Sequence, residues 1–301
     1  MDKEFWKLSV NDVEQEKYKN RMQLCYVVFI DILGFKEMAE QDIDKVILAM
    51  RMLNIFAKKT YKNVNGKFFL QETCREEYSK ELEPRVTTFS DSIVISAKEE
   101  YYLLSDIIYS ISDLQYQLLL KGIVIRGGIE LGYIYQDEFM VFGDGLIEAY
   151  KLESEKAKFP RILIGNKALE QTVKRYDDEF NQKIEDSVIY NYSEIEKANI
   201  YGNYYSSDAI GAIVKDEDVH YIDFLYDNLN IYFLKDEKVF NSVKKIIIDG
   251  MKHKEETVRK KYEWLIDEYN WTVSRCVKDI KVTKKNEERA KKLEQRYKII
   301  V

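Results

Sequence analysis

The chain has 301 residues, 46% hydrophobic and 33% charged, which excludes a disordered chain and sets the expectation of one packed core with a well-solvated surface. Two prolines and twelve glycines exclude collagen-like or Pro-rich linker material, and a net charge of -6 argues against general nucleic-acid binding. An acidic protein that handles a polyphosphate needs a divalent metal to neutralise it.

No apolar stretch reaches the length of a membrane helix, and the first twenty residues lack the apolar centre of a secretory signal. Cys25, Cys74 and Cys276 form no CxxC pair, which suits a reducing cytoplasm. His220 and His253 are far apart, an arrangement unsuited to zinc. The 23 tyrosines read as packing material with polar tips.

In chain order, residues 1–22 read as a polar helical lead-in. CYVVFIDI over 25–32 has the β-branched, nearly continuous apolar character of a strand covered on both faces. Gly34 ends it, and 35–62 carries apolar residues at helical spacing. Residues 63–83 read as a loop, and RVTTFSDSIVIS over 85–96 as a hairpin with Asp91 at its tip. A helix over 101–121 follows, then strands over 123–135 and 139–142, a helix from Leu146 to about Lys158 and a strand from Arg161 to Ile164. The order β-α-β-β-α-β predicts a ferredoxin-like arrangement. Beyond 166 the pattern predicts a helix over 166–180, a strand over 187–192, Tyr-rich mixed material to 235, and helices over 238–271 and 272–298, the last a solvated face. Tyr262, Leu265, Ile266 and Tyr269 at helical spacing read as core. The expected division is therefore a lead-in (1–22), an α+β domain (23–165) and a mixed extension that is helical toward its end (166–301).

Asp31 and Asp91 are the informative pair. Asp31 closes an apolar strand, where a carboxylate is costly without a cationic partner, and Asp91 tips the hairpin that pairs beside it. Two such carboxylates repel unless they share a divalent cation. The plain alternative makes Asp31 a helix cap and Asp91 an Asx-turn residue. Arg126, inside an apolar strand, needs an anion: a triphosphate, a metal-site carboxylate or an internal salt bridge. Arg161 is a similar candidate but reads first as a surface ion-pair residue, Glu148 as helix surface or an orienter of Lys151, and Glu153 as helix surface.

VVFIDILGF, TTFSDSIVIS, RGGIELG and VFGDGLIEAYKLE, followed by Pro160-Arg161-Ile162, resemble in order and spacing the motifs of class III nucleotide cyclases. They are most similar to the bacterial pyrimidine (uridylate or cytidylate) cyclases of Pycsar antiphage defence. The resemblance covers about 25–165 and implies a ferredoxin-like class III cyclase domain acting as a homodimer with active sites at the interface. It implies that Asp31, Asp91 and the Ile32 carbonyl hold two Mg²⁺ or Mn²⁺ ions, and that UTP or CTP, with UTP preferred, is converted to a 3′,5′-cyclic nucleotide for a separate effector protein. Gly34 and Phe35 would present backbone N–H groups to phosphate. Lys151 and Arg126 join Asp31 and Asp91 as the expected catalytic set, with Lys151 standing where the family has arginine and Ile147 where it has asparagine. Lysine lacks the bidentate fork, and isoleucine donates no hydrogen bond. At the base-reading positions stand Thr87 and Met140, neither the adenine nor the guanine pairing, which points to a pyrimidine. The alternatives are a catalytically inactive cyclase-like module that binds nucleotide or a partner, a two-metal enzyme on a similar palm, and a purely structural protein.

Overall fold

The computed structural model describes residues 22–59, 84–100, 104–180, 189–191, 213–279 and 284–300. The expected lead-in, except for residue 22, and the expected loop over 63–83 lie outside the described residues.

Strand β1 (Gln23–Ile32) is the centre of the sheet because both its faces are apolar. Tyr26, Val28, Ile30 and Ile32 enter the main core, while Cys25 and Val27, with Phe29 against them, enter a smaller one on the opposite face. The run's near-continuous hydrophobicity therefore reflects burial on two sides. Gly34, at φ 74°, turns the chain out of the strand in a left-handed conformation that disfavours a side chain. The expected single helix over 35–62 is instead two, α1 (Phe35–Gln41) and α2 (Ile43–Lys59). Asp42 separates them by accepting a hydrogen bond from the Lys45 N–H at 3.0 Å, as an N-cap aspartate does.

The hairpin β2 (Arg85–Phe89) and β3 (Ser92–Lys98) pairs beside β1, helix α3 (Leu104–Leu119) crosses back, and β4 (Ile125–Gln136) joins β1's other edge. The order β2-β3-β1-β4, antiparallel throughout, is the ferredoxin-like arrangement of an α+β fold. The expected strand over 139–142 contracts to the two-residue β5 (Val141–Phe142), paired to the end of β4. Helix α4 (Asp144–Lys151) starts two residues before the expected Leu146, then widens into a π-turn, Leu152–Lys156. It lies on the face that holds the smaller core. A side chain at Gly128 would collide with the Ala149 carbonyl, and one at Gly132 would sit 2.5 Å from Gly145 Cα, so these glycines let the helix approach the strand.

The sheet does not stop at residue 165. Strand β6 (Ile162–Ile164) runs parallel to β4, and beyond helix α5 (Asn166–Phe180) the strands β7 (Ile189–Asn191), β8 (Ile213–Asp216) and β9 (Val219–Ile222) extend it in the order β6-β9-β8-β7. Helices α6 (Phe224–Leu229), α7 (Glu237–Gly250), α8 (Glu256–Asp279) and α9 (Lys284–Tyr297) share the main core with β1 and α3.

Three helices thus replace the two expected over 238–298. The boundary expected at 271/272 lies inside α8, whose inward stripe continues through Thr272, Val273 and Cys276. Tyr262, Leu265, Ile266 and Tyr269 are buried there, as their spacing predicts. The expected solvated helix α9 also buries a stripe, Ala290, Leu293 and Tyr297, with Tyr297 stacked on Phe240 at 4.5 Å between ring centroids. Among the described residues no helix is long and apolar enough to cross a membrane.

Candidate functional site

The end of β1 carries Asp31 out of the core and onto the face that α4 partly covers. In register, Asp31 stands opposite Ser92 of β3 on one side and opposite Arg126 of β4 on the other. The β2–β3 turn consists of Ser90 and Asp91, closed by the Phe89–Ser92 pair. Ser90 has φ 47°, the left-handed conformation that a two-residue hairpin turn demands. The Ile32 N–H donates to the Asp91 carbonyl at 3.1 Å, which ties the turn to the end of β1. The two aspartates are thereby held at neighbouring strand ends, as the hairpin topology predicts.

Burial pushes the Asp31 carboxyl above the usual aspartate range, Arg126 pulls it back, and the Asp91 charge pushes it up again. Arg126 Nε lies 3.3 Å from Asp31 Oδ2 and 2.6 Å from Glu153 Oε1, and Nη1 donates to the Ala157 carbonyl at 3.5 Å. Of the possible partners for an arginine in this strand, the structure supplies carboxylates, one of them Asp31. Glu153 was expected on the helix surface. It is 3% exposed, because the π-turn rotates it inward over Arg126. Its carboxyl is also held above the ordinary range, first by burial and then by the charges of Asp31 and Asp91, against the pull of Arg126.

A second cation faces this group from the far end of the sequence. Lys261 of α8 is half-buried, and its pKa is lowered first by burial and then by Arg126, with Asp31 and Glu255 acting the other way. Sequence periodicity marks the Lys261 helix but carries no signal that it meets Asp31.

The other expected residues are distributed around this cluster. Lys151 is exposed and bonded to Glu148 at 2.8 Å. Its electrostatic neighbours are Glu148 and Glu155, so within one chain it does not join Asp31 and Asp91. Glu148 is therefore both helix surface and the orienter of Lys151. Ile147 is 53% exposed, four residues before Lys151 on the same helix face. Thr87 accepts from Gln136 Nε2 at 2.8 Å, and the Gln136 carbonyl oxygen of the side chain accepts from Ser96 at 2.6 Å. Gln136, buried at the end of β4, thus occupies the polar neighbourhood expected to belong to Thr87, and the sequence reading missed it. Met140 is exposed in the β4–β5 turn, where its N–H donates to Asp137 Oδ1 at 2.8 Å. Gly34 and Phe35 open α1, which has no side-chain cap. Arg161 is not a surface ion-pair residue: it is 6% exposed, 2.6 Å from Asp216 Oδ2, and packed over the rings of Phe159 and Tyr221.

The donor set suits a hard divalent cation: carboxylates at neighbouring strand ends, one of them partly accessible and raised first by burial and then by the other's charge. Asp31 and Asp91 are a pair and not a cage, since among the described residues no three His, Cys, Asp or Glu side chains converge to hold a metal. Such a pair leaves the remaining positions of an ion to water and other oxygen ligands, an arrangement magnesium tolerates.

No protein-family model and no curated protein matches the chain. Among solved structures, a class III adenylyl cyclase-like ATP-binding protein from Pseudomonas aeruginosa matches at 15% identity with a TM-score of 0.32. The match covers 53% of this chain and 37% of that one, so the chain spans little more than a third of that protein's length.

Proposed function

We propose that the chain is a metal-dependent pyrimidine nucleotide cyclase, converting UTP or CTP to the 3′,5′-cyclic nucleotide and pyrophosphate as a signal in antiphage defence. The observation that carries this reading is the convergence of Asp31 and Asp91 at neighbouring strand ends, with Arg126 behind them. Asp31 and Asp91, with the Ile32 carbonyl, would hold the Mg²⁺ or Mn²⁺ ions, which would lower the pKa of the ribose 3′-hydroxyl and neutralise the triphosphate. The 3′-hydroxyl gives its proton to solvent, its oxygen bonds to the α-phosphorus, the bond from that phosphorus to the bridging oxygen breaks, and pyrophosphate leaves with that bond's electron pair. Arg126 holds Asp31 in place through the Asp31–Arg126–Glu153 chain, so the carboxylate is oriented before substrate arrives.

The working form is a homodimer. Tyr133, Phe139, Met140, Phe142, Ile147 and Tyr150 are all large, apolar in body and about half exposed or more, on β4, the β4–β5 turn, β5 and α4. A second copy covering them excludes water from this surface. In that arrangement Lys151 serves the partner's Asp31–Asp91 site, which accounts for its separation from the aspartates of its own chain. The product then acts on a separate effector protein.

The test is incubation of the purified protein with each α-labelled nucleoside triphosphate, with Mn²⁺ and with Mg²⁺, followed by phosphatase treatment. Phosphatase-resistant cUMP or cCMP, absent for Asp31→Ala and Asp91→Ala, is the expected result. A cAMP or cGMP product removes the pyrimidine assignment and leaves the mechanism.

One observation favours a second reading, a cyclase-like module that binds nucleotide without turning it over: exposed Ile147 stands where a transition-state hydrogen-bond donor is expected. That reading requires nucleotide binding that depends on Asp31 together with no cyclic product under any metal condition.

A further inference from the structure

The C-terminal helices make contacts around the Asp31 site that their role as core does not require. His253 Nε2, in the turn before α8, lies 2.9 Å from Glu37 Oε2 of α1, the short helix that follows β1. Arg259 Nη1 closes that turn by donating to the His253 carbonyl at 2.9 Å. On the same helix Trp264 stacks on Phe159 with centroids 5.8 Å apart and meets Tyr221 edge-on at 6.0 Å. Phe159 lies two residues past Ala157, whose carbonyl holds Arg126. Lys261 sits between these two anchors, one helical turn before Trp264 and on the same face. The charged groups it faces are Asp31 and Arg126 from the sheet and Glu255 from the turn before α8.

Lys261 closes no ion pair with a described residue, and Arg126 already takes the Asp31 and Glu153 carboxylates. Among the described residues, a half-buried ammonium beside a committed guanidinium is a surplus cation. The cluster of Asp31, Asp91, Glu153, Glu255, Arg126 and Lys261 carries two net negative charges when all are ionised. Two divalent cations on the aspartates would turn that to two positive charges, a field that a polyphosphate chain neutralises and a single carboxylate does not. From this we infer that α8 forms a wall of the active site and that Lys261 is a substrate-binding residue, its ammonium taking the pyrophosphate portion of the nucleoside triphosphate. The C-terminal extension thereby contributes directly to the site that its own chain's aspartates build. This inference rests on the cyclase reading for the identity of the nucleotide and on the placement of Lys261 for the polyphosphate contact.

The experiment separates those two supports. Calorimetric titration of the full chain with inorganic pyrophosphate and Mn²⁺ needs no turnover. Lys261→Met is expected to weaken binding about tenfold to hundredfold, the loss of one charge-assisted contact, while Lys261→Arg stays within about threefold of wild type. Lys260→Met, at the exposed neighbour paired with Glu256, leaves it unchanged. With UTP or CTP, Lys261→Met raises KM and leaves kcat within about threefold, because the contact exists before and during reaction. Thermal unfolding establishes that the variants fold alike, and Lys261→Gln repeats the measurement where the methionine variant does not. Absence of pyrophosphate binding by the wild type, or equal binding by wild type and Lys261→Met, overturns the inference. Weakened pyrophosphate binding in a chain that makes no cyclic nucleotide overturns the cyclase reading and leaves the polyphosphate site standing.

Discussion

Two of the arginine–carboxylate clusters among the described residues differ in access to water. At the end of β1, Arg126 meets Asp31 and Glu153, with side-chain exposures of 29% for Arg126 and 18% for Asp31. In the extension, Arg275 meets Asp223 with exposures of 2% and 1%. Asp223 also caps α6 by accepting from the Tyr226 N–H at 3.1 Å, and Arg275 packs over the rings of Tyr226 and Trp271. Nearby, Tyr221 donates to buried Glu268 at 3.0 Å, and burial followed by the Asp223 charge pushes the Glu268 carboxyl up to about 8. The buried cluster holds its charges against the fold's own groups, away from solvent. The open one keeps a carboxylate that solvent can reach. Similar residues therefore make a structural joint where water is excluded and a candidate site where it is admitted.

The largest effect expected from this contrast is on stability. Asp223→Ala leaves the Arg275 charge buried without its partner and should cost about 3 to 5 kcal/mol, read as a lowered urea midpoint. Asp31→Ala should move that midpoint little, since Arg126 keeps Glu153, while abolishing product formation. A large stability loss in Asp31→Ala would erase the distinction between the clusters.

Subunit mixing sharpens the same contrast. Asp31→Ala and Lys151→Ala proteins, each inactive, should together recover about a quarter of wild-type activity, because half the dimers are mixed and each mixed dimer has one intact site. No recovery would place Lys151 outside the partner's site.

A smaller, pH-dependent effect belongs to Glu268. Its folded pKa is raised above its unfolded value, so its contribution to stability is full below about 4.5 and is lost as pH rises through about 8. Glu268→Gln, neutral throughout, should gain stability relative to wild type as pH rises across that window. A difference independent of pH would mean that Glu268 is ionised in the folded protein.

The parts of the fold legible in sequence were those set by local pattern. The ferredoxin-like order followed from strand and helix periodicity, and the meeting of Asp31 with Asp91 followed from a strand end and a hairpin tip that this topology makes neighbours. Glu153 was misplaced because helical spacing puts it outward, whereas a π-turn adds a residue and rotates it over Arg126. The break at Asp42 had a readable signal, a capping aspartate three residues before Lys45, which the longer apolar pattern masked. Gln136 was hidden because β4 runs past the end of β1, so its partners Thr87 and Ser96 come from strands that are not its neighbours. Lys261 had none: it lies 230 residues from Asp31, and only the packing of α8 brings the two together.

The central claim, that Asp31 and Asp91 form a site for a divalent ion with nucleotide, is tested most directly by Mn²⁺ electron paramagnetic resonance titration with UTP or CTP present. Wild type and Glu148→Gln should immobilise the ion equally, and Asp31→Asn and Asp91→Asn should leave the spectrum that of nucleotide and metal without protein. Unchanged immobilisation in both aspartate variants would contradict the account.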